Sequence, residues 1–181
     1  MALRCSEFAK HALGVTLWPR QEQILNGLFE KKINHAIWAM GRRSGKTFMA
    51  AVAATYMCFV QADFFQRKVR KGEKWYIITV ANDLGQSKIA LENIRQLIIN
   101  SPFEQEVTRE TAFEIEISNG CVFQAIPASA RASRGKAVVA IIQDELASSI
   151  EGDANRGAEA MYNALSPSIA QFGRHGKIIE L

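Results

Sequence analysis

Two short stretches of this chain hold residues suited to chemistry, Gly41-Arg42-Arg43-Ser44-Gly45-Lys46-Thr47 and Asp144-Glu145. A bound phosphate chain needs backbone N–H donors at close range, a helix N-terminus behind them, a cation on the outer phosphates and a hydroxyl for Mg²⁺. The first stretch offers all four. Gly41 and Gly45 free the backbone around Ser44, Lys46 is placed for the β- and γ-phosphates, and Thr47 for Mg²⁺ at the start of a helix. Loops of this kind usually have four residues between their glycines. Here Met40 stands where the first would be, so Gly41 shifts that glycine by one position. The alternative, a basic turn capping a helix, leaves Asp144 unexplained.

Hydrolysis of Mg·ATP also needs a carboxylate at the end of a neighbouring strand to support the metal through its water shell, and a second group to orient or deprotonate the attacking water. Asp144 and Glu145 supply these. A solvated acidic pair ending a buried strand is the alternative. Arg42 and Arg43 concentrate further positive charge on a triphosphate, unless they face solvent or pair with Asp144 or Glu145. In the small, polar, basic stretch from Ser129 to Lys136, Arg131, Arg134 and Lys136 are candidates to reach phosphate, either in the same subunit or as a finger into a neighbour's nucleotide. An amide ahead of the first strand could bond both edges of adenine. Gln21 is the first choice and Gln23 the second, with Trp18 or Arg20 able to stack on the base, although a buried hydrophobic staple is the expected role of Trp18.

The elements that must position these groups follow from periodicity. Helices are expected from Ser6 to Leu13 and, behind the Pro19 start signal, from Gln21 to Phe29. Asn34 to Met40 reads as a strand ending on Gly41, and Lys46 to Val60, rich in alanine, as a helix. Trp75 to Val80 is a second strand and Leu84 to Ile99 a second long helix. Phe113 to Ile117 alternates apolar and polar residues, Asn119-Gly120 supplies a turn, and Cys121 to Ile126 returns, a β-hairpin. The continuous apolar run Ala137 to Gln143 (AVVAIIQ) is expected as a central parallel strand delivering Asp144 to the carboxyl edge of the sheet. After a loop over Glu151 to Arg156, Gly157 to Gln171 reads as a helix interrupted near Ser166-Pro167. Lys177 to Leu181 begins another strand.

Alternating strands and helices around such a loop predict an α/β P-loop NTPase of the RecA-like (ASCE) class, in one domain over 1–181, with a mainly parallel sheet and an added hairpin. At 181 residues with 48% apolar and 22% charged content, the composition is that of an ordinary globular domain. Cys5, Cys58 and Cys121 are widely spaced with no CxxC pair, which points to buried thiols and against a disulfide framework or zinc site. No stretch reaches the roughly 20 apolar residues of a membrane span, and a cytosolic location follows by default. The formal net charge of +4 suits a polyanionic partner. Gln66 to Lys74 (QRKVRKGEK) is a candidate DNA-facing stretch, with a merely solvated basic loop as the alternative.

Taken in order, Pro19-Arg20-Gln21, the arginine-rich loop Gly41 to Thr47, a hairpin leading to Arg134-Gly135, and a strand ending Asp144-Glu145 resemble the ATPase domain of the large terminase of tailed bacteriophages, the motor that packages DNA. The match covers nearly the whole chain. The resemblance implies ATP and Mg²⁺ as ligands, phosphate and Mg²⁺ binding by Lys46 and Thr47, metal support by Asp144, activation of water by Glu145, and Arg134 as a finger acting in trans within a ring. It implies double-stranded DNA, portal protein and small terminase subunit as partners, no membrane, and the cytoplasm of the infected bacterial host. Because the chain stops before the family's coupling motif and nuclease, it is expected to be an ATPase fragment without nuclease activity. A superfamily 1 or 2 helicase-type translocase, or a nucleotide-gated binding module without turnover, are the other readings.

Overall fold

The computed structural model describes residues 3–31, 33–81, 84–127, 135–144, 163 and 166–181. Helices α1 (Cys5–His11) and α2 (Pro19–Glu30) precede β1 (His35–Ile37), after which come α3 (Lys46–Val60), a short α4 (Ala62–Gln66), β2 (Trp75–Ala81) and α5 (Leu84–Ile99). Strands β3 (Val107–Glu110), β4 (Glu114–Ile117), β5 (Cys121–Pro127), β6 (Ala137–Gln143) and β7 (Lys177–Glu180) complete the order. Helices α3 and α5 and strand β6 fall where their apolar runs predict. The first strand is shorter than Asn34 to Met40, and α4 and β3 had no clear pattern in the sequence. Of the helix expected over Gly157 to Gln171, 166–170 is helical and most of the remainder lies outside the described residues.

The seven strands form one sheet in the order β1-β7-β6-β2-β5-β4-β3. From β1 to β5 the pairings are parallel, and the hairpin β4/β5 and the pair β3/β4 are antiparallel. The RecA-like, mainly parallel architecture is therefore as expected. One detail of the expectation changes: β6 is not the neighbour of β1, because β7 lies between them. One intervening strand leaves a gap at the carboxyl edge between the loop after β1 and the residue after β6.

Helix α3 is apolar on every side, and Met49 to Cys58 are all buried, as a helix enclosed between a sheet and other helices must be. Small residues at Ala50, Ala51, Ala53 and Ala54 allow close approach. On that face Trp75 and Ile77 of β2 and Val139 and Ile142 of β6 join the main core. On the other face Ile78, Val80, Ile126, Val138, Ile141 and Ile178 form a second cluster with Ile169. An irregularity opposite Tyr76/Ile77 turns both Val139 and Ala140 toward the main core, after which the alternation of β6 resumes.

Candidate nucleotide site

The loop from Gly41 to Gly45 runs from the end of β1 to the head of α3, which starts at Lys46. Its backbone is unusual at two places. Arg43 has φ 61° and Gly45 φ 78°, and Arg43 is the one non-glycine residue with positive φ among the described residues. Left-handed residues on either side of Ser44 are of the kind that build backbone anion nests, with the Ser44 N–H donating within the loop to the Gly41 carbonyl at 3.3 Å. The first-turn N–H groups of α3 have no intrahelical acceptors and add to such a nest.

The glycine shift reads differently in three dimensions. Gly45 needs its glycine, since its φ is left-handed and a Cβ there would come within 3.0 Å of Gln21 Nε2. Gly41 has neither a left-handed φ nor any neighbour within 4 Å of an added Cβ. The backbone freedom expected of Gly41 is thus carried by Arg43, at a cost of about 1–2 kcal/mol for a side chain held left-handed. Strain of this kind persists only where surrounding structure fixes it.

Gln21 is part of what fixes it. Pro19 opens α2, and the Gln21 amide oxygen accepts the Trp18 backbone N–H at 3.0 Å. Its Nε2 donates to the Ser44 carbonyl at 3.1 Å. The amide therefore points at the loop, as expected, and each end keeps one hydrogen-bonding position free for a base. Its grip on the loop was not foreseen. Trp18 contradicts the staple expectation: it is 68% exposed, because as N-cap it needs only its backbone to close the helix. Arg20 is exposed and donates to Gln23 Oε1 at 2.5 Å, so Gln23 is turned to its own helix surface.

Across the gap, Thr47 Oγ1 donates to Asp144 Oδ2 at 2.9 Å. Asp144 is fixed by its backbone N–H, which donates to the Val80 carbonyl at 3.0 Å. Ser44 Oγ is buried with no hydrogen-bond partner among the described residues. Arg42 and Arg43 are exposed, and among the described residues neither these nor Lys46 forms an ion pair. Glu145, Arg131 and Arg134 lie outside the described residues.

The groups present fit a magnesium nucleotide: backbone N–H groups at a helix start, a lysine and a buried hydroxyl that have no partner among the described residues, and a hydroxyl–carboxylate pair of the hard oxygen type that Mg²⁺ prefers. Cys5, Cys58 and Cys121 are buried free thiols away from it. Among the described residues no helix is long and apolar enough to cross a membrane.

No protein-family model and no curated protein matches the chain by sequence. Solved structures do match. The HK97 bacteriophage large terminase superposes with a TM-score of 0.68 at 14% identity, over 98% of this chain and 36% of that one. The Thermus phage P74-26 large terminase ATPase domain gives 0.67 at 17% identity, over 98% of this chain and 70% of that one. An arginine-to-alanine mutant of the same domain gives 0.65 at 16%, over 98% and 69%. This chain has the fold of the large terminase ATPase domain. At these identities the likeness is one of fold, and the chain spans about a third of the length of the HK97 protein.

Proposed function

We propose that the chain is the motor domain of a large terminase, hydrolysing ATP to drive double-stranded DNA into a viral procapsid. The observation that carries the reading is the 2.9 Å contact of Thr47 Oγ1 with Asp144 Oδ2. It sets a hydroxyl at the head of α3 and a carboxylate at the end of β6 where both can serve one divalent cation. Mg²⁺, when bound, neutralises charge on the β- and γ-phosphates. Thr47 and Asp144 would be the residues that hold it. Lys46 and the N–H groups of the loop and helix start hold the triphosphate, while Arg42 and Arg43 add charge at its outer end. The Gln21 amide uses its two free positions on adenine, and exposed Trp18 or Arg20 covers the base. Glu145 takes the proton of the attacking water.

Arg134 acts on the nucleotide of a neighbouring subunit. Gly135 and Lys136 stand at the start of β6, a strand length of about 23 Å from Asp144, which favours action in trans over action in cis. The motor then works as a ring on the procapsid portal, with the small terminase subunit as partner, in the cytoplasm of the infected bacterium. Magnesium-dependent phosphate release should rise more steeply than linearly with protein concentration, as subunits meet. Glu145→Ala should abolish release and retain nucleotide binding. Full turnover in that variant removes Glu145 from its role, and tight binding with no release by the unaltered chain at any concentration removes the motor.

A further inference from the structure

The edge of the sheet opposite the nucleotide loop has a distinct charge. The segment from Gln66 to Lys74 enters β2 at Trp75, whose other end touches Asp144 through Val80. Arg67, Lys68, Arg70, Lys71 and Lys74 against Glu73 give the segment net +4, which is the formal excess of the whole chain. The rest of the chain cancels in the formal sum.

All five cations are exposed. Lys74 pairs with Glu116 at 2.8 Å, and the same carboxylate is shared with Arg109 at 3.2 Å. Arg67, Lys68, Arg70 and Lys71 have no carboxylate partner among the described residues, Arg67 donating instead to the Asp63 carbonyl at 2.9 Å. The backbone is nevertheless shaped: Gly72 turns at φ 82°, Glu73 accepts the Arg70 N–H, and Gln66 is tied to the Asn119 carbonyl at 2.6 Å. Two clefts flank this turn, one toward Thr108 and Ser118 of the β3/β4 hairpin, the other toward Gly135 and Lys136. Cations that form no ion pair among the described residues, beside open clefts, suit a repeating anion.

We infer that this amino-edge turn is a docking surface for the phosphate backbone of duplex nucleic acid, formed by Arg67, Lys68, Arg70 and Lys71. The partner is a duplex because the surface lacks stacking platforms. Phe65 and Trp75 are fully buried, half-buried Phe64 is stacked on the His175 ring at 3.9 Å, and half-buried Tyr76 lies under the Lys136 ammonium, whereas single-strand grooves depend on exposed rings between the cations. Contacts of long cations with phosphates are also blind to sequence. The inference places a polyanion one strand length from the nucleotide, so both can be held at once. It rests on charge and shape, and stands or falls apart from the ATPase reading.

The test is fluorescence anisotropy of a blunt duplex of about 20 base pairs with the intact chain and with a variant carrying Arg67→Gln, Lys68→Gln, Arg70→Gln and Lys71→Gln. ATP affinity of both proteins serves as the check on folding. Each lost phosphate contact reduces the slope of log affinity against log salt by about 0.9, so the expected result is a slope smaller by about 2–4, duplex affinity down at least tenfold, and ATP affinity unchanged. An unaltered slope and affinity, absence of duplex binding by the intact chain at low salt, or stronger binding to the single strand than the duplex each overturns it. Loss of self-association with duplex binding retained also overturns it, making the turn a contact between subunits.

Discussion

At the carboxyl edge of the sheet a left-handed arginine and a buried hydroxyl with no partner among the described residues sit on a loop that Gln21 holds by the Ser44 carbonyl, and one carboxylate is held by Thr47. At the amino edge the cations are exposed on long side chains, and four of the five lack any ion pair among the described residues. The first arrangement suits chemistry, where a displacement of 1 Å costs rate. The second suits a field, in which no single group has to be placed closely. The same strands join the two: β2 runs from the basic turn to the residue that holds Asp144. Changes at the two edges should therefore differ in kind, and substitution can force the difference into view.

Among substitutions at described residues, the largest effect is expected from Asp144→Asn. The backbone bond to Val80 remains, and the amide oxygen can still accept the Thr47 hydroxyl, so the fold should survive. What is lost is the negative charge facing a metal. Turnover should fall by about 10²–10³-fold and the Mg²⁺ requirement should rise, both read from phosphate release across a Mg²⁺ titration. Duplex binding in the same variant should be unchanged. A parallel loss of duplex binding would mean that the two edges are not independent.

Gly45→Ala probes the geometry of the loop. The left-handed backbone costs about 1–2 kcal/mol for any L side chain, and the new Cβ meets Gln21 Nε2 at 3.0 Å. Because that atom is the end of a flexible side chain, Gln21 should swing away and release the Ser44 carbonyl. Denaturant unfolding should register the backbone cost, and nucleotide titration a weaker affinity. In a Gln21→Ala background only the backbone part should remain. If the two substitutions add without coupling, Gln21 does not brace the loop.

Such contacts also mark where reading the sequence stopped. AVVAIIQ and the alanine-rich run after Lys46 define β6 and α3 because burial on all sides leaves a continuous apolar pattern. The loop and its acidic partner were legible from residue type and order. The strand over Lys177 to Leu181 was legible too, but its place between β1 and β6 was not, because strand order is set by crossovers that leave no local periodicity. The edge strand β3, VTRE, has three exposed residues and no alternation to detect. Trp18 misled because an aromatic beside a helix start resembles a staple, whereas here its backbone alone does the capping. The left-handed Arg43 was hidden for a related reason: arginine has no preference for that conformation, and only the surrounding fold imposes it.

The smallest effect is expected at Lys177, which opens β7 at the amino edge and is the exception to its exposed cations. It is 1% exposed, and its Nζ donates to the Arg174 carbonyl at 2.6 Å and lies 5.7 Å from the Phe29 ring centre. Burial lowers its pKa from 10.5 to about 8, since the charged form has lost its water. Below pH 8 the lysine is protonated in both folded and unfolded chains, and the folded state carries the cost in full. Between about pH 8 and 10.5 the unfolded chain keeps the proton that the folded chain has released, so stability from this group rises with pH. Lys177→Met keeps the shape and removes the charge. It should stabilise the protein at neutral pH by on the order of 1–2 kcal/mol and flatten the rise toward pH 10, as measured by urea unfolding at several pH values. Duplex binding should be untouched, since a buried ammonium adds little to a surface field. A loss of duplex affinity in this variant would place a buried charge among the groups that face phosphate.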